Sequence, residues 1–347
     1  MIRPARVRLW DVTISMHHGL RTATGSIHQR RSIILAATGG GHTGWGEAAP
    51  VGGHTLDTAD DAWTLLVAEA GRIVAGGEPV PIEGSTATAA IDTALTDLAA
   101  RADGSSLAAH LGGDMDPVPA SVVIDLPRSP QELVDDVARA VTAGYRHVKI
   151  KIDPATVHLV AAARHAHPSL GIAVDANGSF DATGIDRLIA LDGLGLDYIE
   201  QPLAGDDIGT LTALHDALAT PICLDESIRR LADITAAAGF ADAVALKPGR
   251  LGPSLTVQAL GVAARNGLGV KIGGLVETGV GRNLLVAMAT HPGVTLPSDL
   301  AASDRYFKED LVTPPWRIAG GHLIPRRTLV VDEEALQRFT TQHHDTG

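Results

Sequence analysis

Five groups of reactive residues in the second half of the sequence each follow or end a short apolar run of β-strand type. Nearly equal intervals separate them, each about the length of one strand and one helix. Residues at equivalent ends of successive parallel strands meet at one edge of a sheet or at one mouth of a barrel. We therefore expect these side chains to share a site. The groups are Lys149-Ile-Lys151, Asp175-Ala-Asn177, Glu200-Gln-Pro202, Asp225-Glu-Ser227 and Lys247-Pro-Gly-Arg250.

Three of these groups contribute a carboxylate, from Asp175, Glu200 and Asp225. Two carboxylates about 4 Å apart repel each other by roughly 4 kcal/mol at an effective dielectric constant of ~20. Three at one rim therefore require protonation, basic partners or a bound cation. An all-oxygen site of this kind suits Mg²⁺, and Mn²⁺ would also fit. The alternative is that each acid ends a strand or pairs with a nearby base.

The lysines of the pattern are candidates for acid and base catalysts. Lys149 and Lys151 are two residues apart in a predicted strand, so their side chains point the same way. We expect the two ammonium groups to lower each other's pKa, which makes a lysine a usable base near neutral pH. Lys247 lies four strands further around the predicted barrel and would approach a substrate from the opposite face. Solvated surface lysines are the alternative interpretation.

Opposed lysines are suited to moving a proton on the carbon next to a substrate carboxylate. General base catalysis contributes about 10²–10⁴-fold, which is too little for a reaction that creates a dianion. A divalent cation would stabilise the additional charge by several kcal/mol. The lysines and the metal site are therefore two parts of one hypothesis.

The elements that must position these residues alternate between strands and helices. After Pro119, apolar runs of strand length are mostly separated by segments of helix length, which predicts a parallel sheet. Eight such runs favour closure into a TIM-like barrel. An open doubly wound sheet is the alternative, but the first run lacks the glycine-rich turn typical of that fold. The runs are Ala120–Ile124, His147–Ile152, Gly171–Val174, Leu196–Ile199, Ile222–Leu224, Ala243–Leu246, Gly269–Ile272 and Gly293–Leu296.

The first third of the chain has a different pattern, typical of an α+β domain. Its strand-like runs are Arg6–Ile14, Arg31–Ala37 and Gly44–Glu47, and helical periodicity covers Asp57–Ile73 and Thr86–Arg101. We predict an α+β capping domain over residues 1–117 and the barrel over residues 118–299. Residues 300–347 should return to the capping domain, and the last five residues should fray.

Composition and charge disfavour several functional classes. A formal net charge of −12 at pH 7 argues against binding to nucleic acids and anionic membranes. An anionic substrate remains open, because a bound cation reverses the local sign of the charge. The single cysteine, Cys223, cannot form an internal disulfide, which suits a reducing cytoplasm. We find no pattern of a signal peptide or membrane span, and expect a cytoplasmic protein that acts on a small carboxylate.

The strings KIK, DAN, EQP, DES and LKPGR, in this order, resemble the muconate-lactonising branch of the enolase superfamily. That superfamily uses a lysine or histidine base together with magnesium. The resemblance implies a (β/α)₇β barrel with an α+β capping domain built from both chain ends, and a homo-oligomer. Within the branch, the chain is most similar to o-succinylbenzoate synthases and N-acylamino acid racemases. The supporting segments are Thr220–Ile228, Leu246–Gly252, Gly273–Arg282 and Ser298–Tyr306.

The resemblance implies a role for each group at the strand ends. Lys151 and Lys247 would be the acid and base, and Lys149 would contact the substrate carboxylate. The metal ligands would be Asp175, Glu200 and Asp225. The substrate pocket would include Ser121, Asn177, Arg250, Gly274 and Leu275. Strand alternation also directs Glu226 away from Asp225, where we expect it to orient neighbouring groups.

Several segments depart from the family's usual pattern. Leu20 stands where a phenylalanine usually precedes Arg21-Thr22, and the second cap loop, Pro50–His54, contains no aromatic residue. Pro253 replaces a usual glycine, and the end of the chain lacks the usual Pro-Gly-Leu-Gly stretch. Because the cap loops select the substrate in this family, these departures leave the substrate open.

The leading hypothesis is removal of the proton next to a substrate carboxylate through an enediolate intermediate. Dehydration to o-succinylbenzoate, a step of menaquinone biosynthesis, is the first expectation. Racemisation of an N-acylamino acid such as an N-succinylamino acid is the alternative, followed by dipeptide epimerisation and cycloisomerisation. Hypotheses from other classes are a metal-free Schiff-base lyase with Lys247 as nucleophile and a barrel that binds a carboxylate without catalysis.

Overall fold

The computed structural model describes residues 2–22, 25–80, 82–205 and 207–347. In those ranges, no helix is long and apolar enough to cross a membrane. The strands are β1 (Arg6–Thr22), β2 (Gly25–Gly39), β3 (His42–Ala48), β4 (Val118–Pro119), β5 (Ser121–Ile124), β6 (His147–Lys151), β7 (Gly171–Asp175), β8 (Ile199–Glu200), β9 (Ile222–Leu224), β10 (Ala243–Leu246), β11 (Gly269–Ile272), β12 (His322–Leu323) and β13 (Thr340–Asp345). The helices are α1 (Ala59–Val74), α2 (Thr86–Ala102), α3 (Leu107–His110), α4 (Pro130–Thr142), α5 (Val160–Ala166), α6 (Ile185–Ile189), α7 (Ile208–Ala217), α8 (Leu231–Ala237), α9 (Pro248–Arg265), α10 (Gly279–Ala289) and α11 (Glu333–Phe339).

Strands β5 to β11 form a parallel sheet in which each strand pairs with the next one along the chain. A helix, from α4 to α9 in order, separates each strand from its successor, which is the connection that parallel pairing requires. The strands are short and almost wholly buried, so their apolar runs lie in a core covered on both faces. The predicted parallel barrel is therefore confirmed.

The barrel closes through a segment that is not the regular strand predicted at Gly293–Leu296. The last N–H of that run donates to Val270 O on β11 at 3.0 Å. Two residues after this run, Ser298 O accepts a hydrogen bond from Ser121 N on β5, the other edge strand, at 2.9 Å. The expectation of a regular eighth strand is wrong, because Pro297 has no N–H and interrupts the ladder. Residues 295–299 instead join the two edges of the sheet through isolated hydrogen bonds.

The first and last segments of the chain share an antiparallel sheet in the order β13-β1-β2-β3. Helices α1 and α2 pack against it and enclose a second apolar core that includes Leu9, Ile33 and Leu66. Both helices begin at capping hydroxyls, because Thr58 and Ser85 accept hydrogen bonds from the first turns. The predicted return of the C-terminal segment to the capping domain is confirmed.

The last residues do not fray as expected. Arg8 pairs with Asp345 in the register between β1 and β13, and Thr346 N donates to Val7 O at 3.1 Å. An ion pair between Arg6 and Asp345 fixes the same segment. The expectation failed because an edge strand of polar composition has little apolar signal, although most of its residues pair with β1.

The capping sheet is joined to the barrel at the N-terminus of α10. Glu47, in β3, accepts hydrogen bonds from Thr278 N at 3.0 Å, Thr278 Oγ1 at 2.6 Å and Gly281 N at 2.8 Å. A carboxylate at this end of a helix is stabilised by the free N–H groups and the helix dipole. Arg30, in β2, donates to the backbone oxygens of Leu275 and Val276 at 3.1 Å each. The loop after β11 is therefore held from the capping side.

Candidate active site

The ends of β6 to β9 bring the predicted acids to adjoining positions. Lys151 lies beside Asp175 in the register, and Asp175 lies beside Glu200. Glu200 lies beside Cys223, so Asp225 follows immediately after the end of β9. The residual exposures of Asp175, Glu200 and Asp225 are 3%, 0% and 4%. Three carboxylates are thus buried next to one another and need compensation by positive charge.

Lys149 lies among these acids and not at the surface. Its Nζ is 2.7 Å from Glu200 Oε1, 3.0 Å from Asp175 Oδ2 and 2.8 Å from Asp299 Oδ2. Burial lowers its pKa, but the charges of Asp175, Asp299 and Glu200 together prevail and raise the pKa well above the ordinary value. The expectation of a lowered pKa is therefore wrong for Lys149, because three carboxylates outweigh a neighbouring lysine. Lys149 is suited to act as a permanent cation.

Lys271 and Asp299 complete this buried cluster and were not predicted from the sequence. Lys271 Nζ lies 2.5 Å from Glu200 Oε2 and 2.9 Å from Asp299 Oδ2, and the residue is 0% exposed. Burial raises the pKa of Asp299, but the charges of Lys149 and Lys271 outweigh it and hold the pKa below the ordinary value. A lysine inside the apolar run Gly269–Ile272 is a signal that could have identified the cluster, because lysines are rarely buried without a partner.

Lys247 follows β10 and forms a second ion pair at the barrel mouth. Its Nζ lies 2.7 Å from Asp225 Oδ2. Burial raises the pKa of Asp225, but the charges of Lys247 and Lys149 outweigh it and lower the pKa to about 2. The other oxygen, Asp225 Oδ1, is buried and has no hydrogen-bond partner among the described residues. A buried anionic oxygen of this kind calls for a donor or a cation.

The metal prediction is supported by donor chemistry and not by a preformed ligand cage. Within the described residues, no group of three or more His, Cys, Asp or Glu side chains has an arrangement that could hold a metal ion. The ammonium groups of Lys149 and Lys247 contact the carboxylates instead. Three buried carboxylates, with one oxygen of Asp225 unpartnered, are nevertheless the donor type that Mg²⁺ prefers. The residues present therefore fit this ion.

Glu200 is the carboxylate with the least water around it. Burial raises its pKa to about 7, although Lys149 and Lys271 act in the opposite direction. Each of its oxygens is paired, Oε1 with Lys149 and Oε2 with Lys271. A change in the positive charge around Glu200 should therefore have large consequences for the site.

Gln201 positions the acids although the sequence did not single it out. Its φ of 37° lies in the left-handed region, which is unusual for a residue with a side chain. Gln201 Oε1 accepts hydrogen bonds from Asp225 N at 3.0 Å and Ser227 N at 3.2 Å. Its Nε2 donates to Ser227 Oγ at 2.7 Å. The backbone that carries Asp225 is thus held by the residue that follows Glu200.

Asn177 and Glu226 contact each other at the rim of the mouth. Asn177 is exposed, has a φ of 44°, and donates from its backbone N–H to Asp175 Oδ1 at 2.9 Å. Its Nδ2 donates to Glu226 Oε1 at 3.0 Å. Burial and the charges of Asp225 and Asp175 raise the pKa of Glu226. Glu226 therefore orients Asn177 and lies near the acids despite the alternation of the strand.

Arg250 holds the second cap loop against the barrel. Its guanidinium donates to His54 O at 3.1 Å and to the backbone oxygen of Ile228. Burial and the charges of Lys247 and Lys151 lower the pKa of the His54 imidazole to about 4. His54 Nδ1 is buried and has no hydrogen-bond partner in the described part of the chain. The cap loop thus places an uncharged polar ring beside the lysine pair.

The remaining predicted pocket residues occupy different environments. Ser121 lies opposite His147 at the start of its strand and contacts His147 Nδ1 at 2.7 Å, so the structure does not bring it to the strand ends. Leu275 is buried, and its backbone N–H and carbonyl are bonded to Glu277 and Arg30. Gly274 is half-buried beside it. Leu20, which the sequence assigned to the first cap loop, lies within β1, and its side chain is outside the described set.

The lowered pKa of His54 predicts a specific dependence of stability on pH. Between pH 6.5 and about 4 the unfolded chain binds a proton at His54 and the folded protein does not, so stability is lost as the pH falls. After discounting for partial exposure, we expect a loss of roughly 2 kcal/mol across this window. Thermal denaturation of wild type and His54→Gln at several pH values should show a smaller loss in the variant. Replacing the exposed His42 with glutamine is the control, and an equal loss in wild type and His54→Gln would contradict the assignment.

Comparison with known proteins agrees with the fold. Residues 132–329 match the family described as enolase C-terminal domain-like. The chain is 32% identical to an o-succinylbenzoate synthase of Bacillus subtilis, over 99% of this chain and 98% of that protein. It is 34% identical to an N-succinylamino acid racemase of an Amycolatopsis species, over 91% of each chain. A solved enolase superfamily structure from Listeria innocua has a TM-score of 0.92 at 28% identity, covering 99% of both chains.

A parallel barrel with buried acids and lysines at its strand ends, covered by an α+β domain, defines a class of barrel enzymes whose loops and caps select the substrate. This chain belongs to the enolase superfamily. Its relatives named above are enzymes, and the family uses a lysine or histidine base with magnesium.

Proposed function

We propose that this chain is an o-succinylbenzoate synthase that depends on Mg²⁺ or, in its place, Mn²⁺. The observation that carries the proposal is the pairing of buried strand-end acids with lysines from both sides of the barrel mouth. Similarity to a synthase over nearly the whole chain supports the substrate class. A benzoate formed by loss of water requires a precursor that is a hydroxylated cyclohexadiene carboxylate. We therefore expect a precursor of this kind that carries the same succinyl group.

The proposed reaction needs a base, an acid and stabilisation of negative charge. One lysine amine, from Lys151 or Lys247, takes the proton from the carbon next to the carboxylate. The carbon–oxygen bond to the hydroxyl group then breaks, and the lysine ammonium returns the proton so that water leaves and the ring becomes aromatic. Lys149, a permanent cation at the same mouth, attracts the substrate carboxylate. Mg²⁺, held by Asp175, Glu200 and Asp225, would supply several kcal/mol of charge stabilisation.

Racemisation of an N-succinylamino acid is the second candidate. It would use the lysines differently, because one must remove the proton from one face and the other must deliver a proton to the opposite face. Similarity to the Amycolatopsis racemase and the position of Arg250, three residues after Lys247, favour this activity. In this proposal Arg250 acts through the cap loop that it holds, and Asn177 and Gly274 remain candidates for substrate contact.

Product analysis with each substrate tests the proposal. We expect the purified protein with Mg²⁺ to convert the succinyl cyclohexadiene carboxylate to an aromatic product, detected by its ultraviolet absorbance. Incubation with single enantiomers of N-succinylamino acids, followed by polarimetry, measures the second activity. Racemisation without dehydration would replace the first assignment by the second. Inactivity on both substrates, with Mg²⁺ bound, would contradict both.

We also propose a cytoplasmic location and a homo-oligomeric state. Light scattering on the purified protein measures the second directly, and a monomer at micromolar concentration would contradict it.

A further inference from the structure

Lys271 has an environment unlike that of the other lysines at the barrel mouth. It lies inside strand β11, is 0% exposed, and its Nζ stands 5.1 Å from the centre of the Tyr198 ring. Its two charged contacts are Glu200 Oε2 and Asp299 Oδ2. The proposed reaction assigns no step to Lys271 and no ligand position to Asp299.

Four side chains form a closed ring of alternating charge: Lys149, Glu200, Lys271 and Asp299. Lys149 contacts Glu200 Oε1 and Asp299 Oδ2, and Lys271 contacts Glu200 Oε2 and the same Asp299 oxygen. Two ammonium groups and two carboxylates balance within the ring. Asp175 lies outside this ring and forms an ion pair with one of its members, Lys149, which also contacts Glu200 Oε1. Lys271 therefore contacts Oε2 of Glu200, whereas Lys149, the lysine that also pairs with Asp175, contacts Oε1.

We propose that Lys271 is a resident cation that balances the charges of Glu200 and Asp299 and thereby lowers the affinity of the site for Mg²⁺. This inference rests on the proposed metal-dependent function. Lys271 contacts Glu200 through Oε2, and its ammonium group balances the charge of that carboxylate. Its positive charge also offsets part of the negative charge that attracts a divalent ion. The buried acids are thereby stable without metal, and the ion binds more weakly than three uncompensated carboxylates would allow.

The arrangement separates this role from simple packing. A buried ion pair whose partners serve structure alone can often be replaced by apolar residues without loss of stability. Removing Lys271 alone would leave Glu200 and Asp299 with one ammonium group between them. Stability without metal should fall, but attraction for a divalent ion should rise. A residue that merely fills space would lower both stability and metal affinity when it is removed.

Isothermal titration with MgCl₂ on three variants of the full chain tests the inference. For Lys271→Met we expect binding about tenfold tighter than in wild type, because loss of one buried positive charge strengthens the attraction of the acids for a divalent cation. Asp299→Asn should bind about tenfold more weakly, since Lys271 then compensates Glu200 alone. Lys308→Met, which removes a positive charge from an exposed position, is the matched control and should bind as wild type does. Thermal denaturation without Mg²⁺ should give a lower midpoint for Lys271→Met.

The outcomes distinguish this inference from the proposed function. If wild type binds Mg²⁺ and a folded Lys271→Met binds it equally or more weakly, the role of Lys271 is refuted and the function stands. If Lys271→Met does not fold, Asp299→Asn decides, and unchanged or tighter binding by that variant refutes the role. If wild type binds no Mg²⁺, the proposed function fails and the inference fails with it.

Discussion

Lys247→Met and Lys151→Met are each expected to lose about 10³-fold or more in turnover, because each removes an acid–base group that methionine cannot replace. Methionine retains most of the side-chain volume, so binding of the product should change little. Turnover is measured with Mg²⁺ at saturating substrate, and product binding is measured by titration. The two lysines project from strands on different sides of the barrel, which makes them the groups with the largest expected effect.

Proton exchange distinguishes the roles of the two lysines. If the enzyme racemises an N-succinylamino acid, a variant with one lysine should still exchange the substrate proton of one enantiomer with deuterium from D₂O. Lys247→Met and Lys151→Met should then act on opposite enantiomers. Lys308→Met is the control for loss of a positive charge at an exposed position. Turnover within tenfold of wild type in either site variant would refute the acid–base assignment of that lysine.

Borohydride treatment addresses the alternative chemistry of Lys247. A Schiff-base lyase would be trapped as a covalent adduct in the presence of substrate, and its activity would survive chelation of metal ions. In the proposed reaction Lys247 only transfers a proton and forms no covalent bond to the substrate, whereas a Schiff-base nucleophile bonds to a carbonyl carbon of the substrate. We therefore expect no adduct in wild type, and adduct formation would favour the lyase.

The sequence predicted those parts of the fold that depend on local pattern. The regular spacing of apolar runs located the strands β5 to β11, and helical periodicity located α1 and α2 within two residues at each end. Closure of the barrel and the pairing of β13 depend on isolated or backbone hydrogen bonds between distant segments. Such bonds have no side-chain periodicity, so Gly293–Leu296 was assigned a strand and His343 to Gly347 was expected to fray.

The site was predictable as a set of strand ends but not as a network. Alternation along a strand indicates which residues face inward, but not which layer of the barrel they occupy. Ser121 illustrates this, because it lies opposite His147, four residues before Lys151 on the next strand. Lys271 and Asp299 belong to the site, but the sequence did not single them out. Their ion pairs join residues far apart in the sequence, which no local pattern reveals. Lys149 is likewise balanced by three carboxylates within 3.0 Å of its Nζ, and only the folded structure brings them together.

Asp225→Asn is expected to weaken Mg²⁺ binding more than the 10- to 100-fold that changes behind metal ligands usually cause. Asparagine has the same shape, but it removes the anionic charge; its remaining oxygen would accept from Lys247, which leaves an amide NH₂ where the unpartnered oxygen stood. In wild type, Mg²⁺ at 100 times its dissociation constant should raise the free energy of unfolding by about 2.7 kcal/mol. The same concentration should leave Asp225→Asn almost unchanged, and chelation should abolish turnover of wild type.

Asp216→Asn is the matched control, because Asp216 is an exposed aspartate of α7 outside the cluster. It should bind Mg²⁺ and gain stability as wild type does, which separates loss of a ligand from loss of one negative charge. Glu200→Gln should behave like Asp225→Asn, although removal of its charge also releases Lys271 and Lys149 from a shared partner. Strong Mg²⁺ binding by folded Asp225→Asn and Glu200→Gln would exclude these carboxylates as ligands. The negative charge buried at the strand ends would then be balanced by lysines alone, and an enolisation that needs a divalent ion could not be assigned to this mouth.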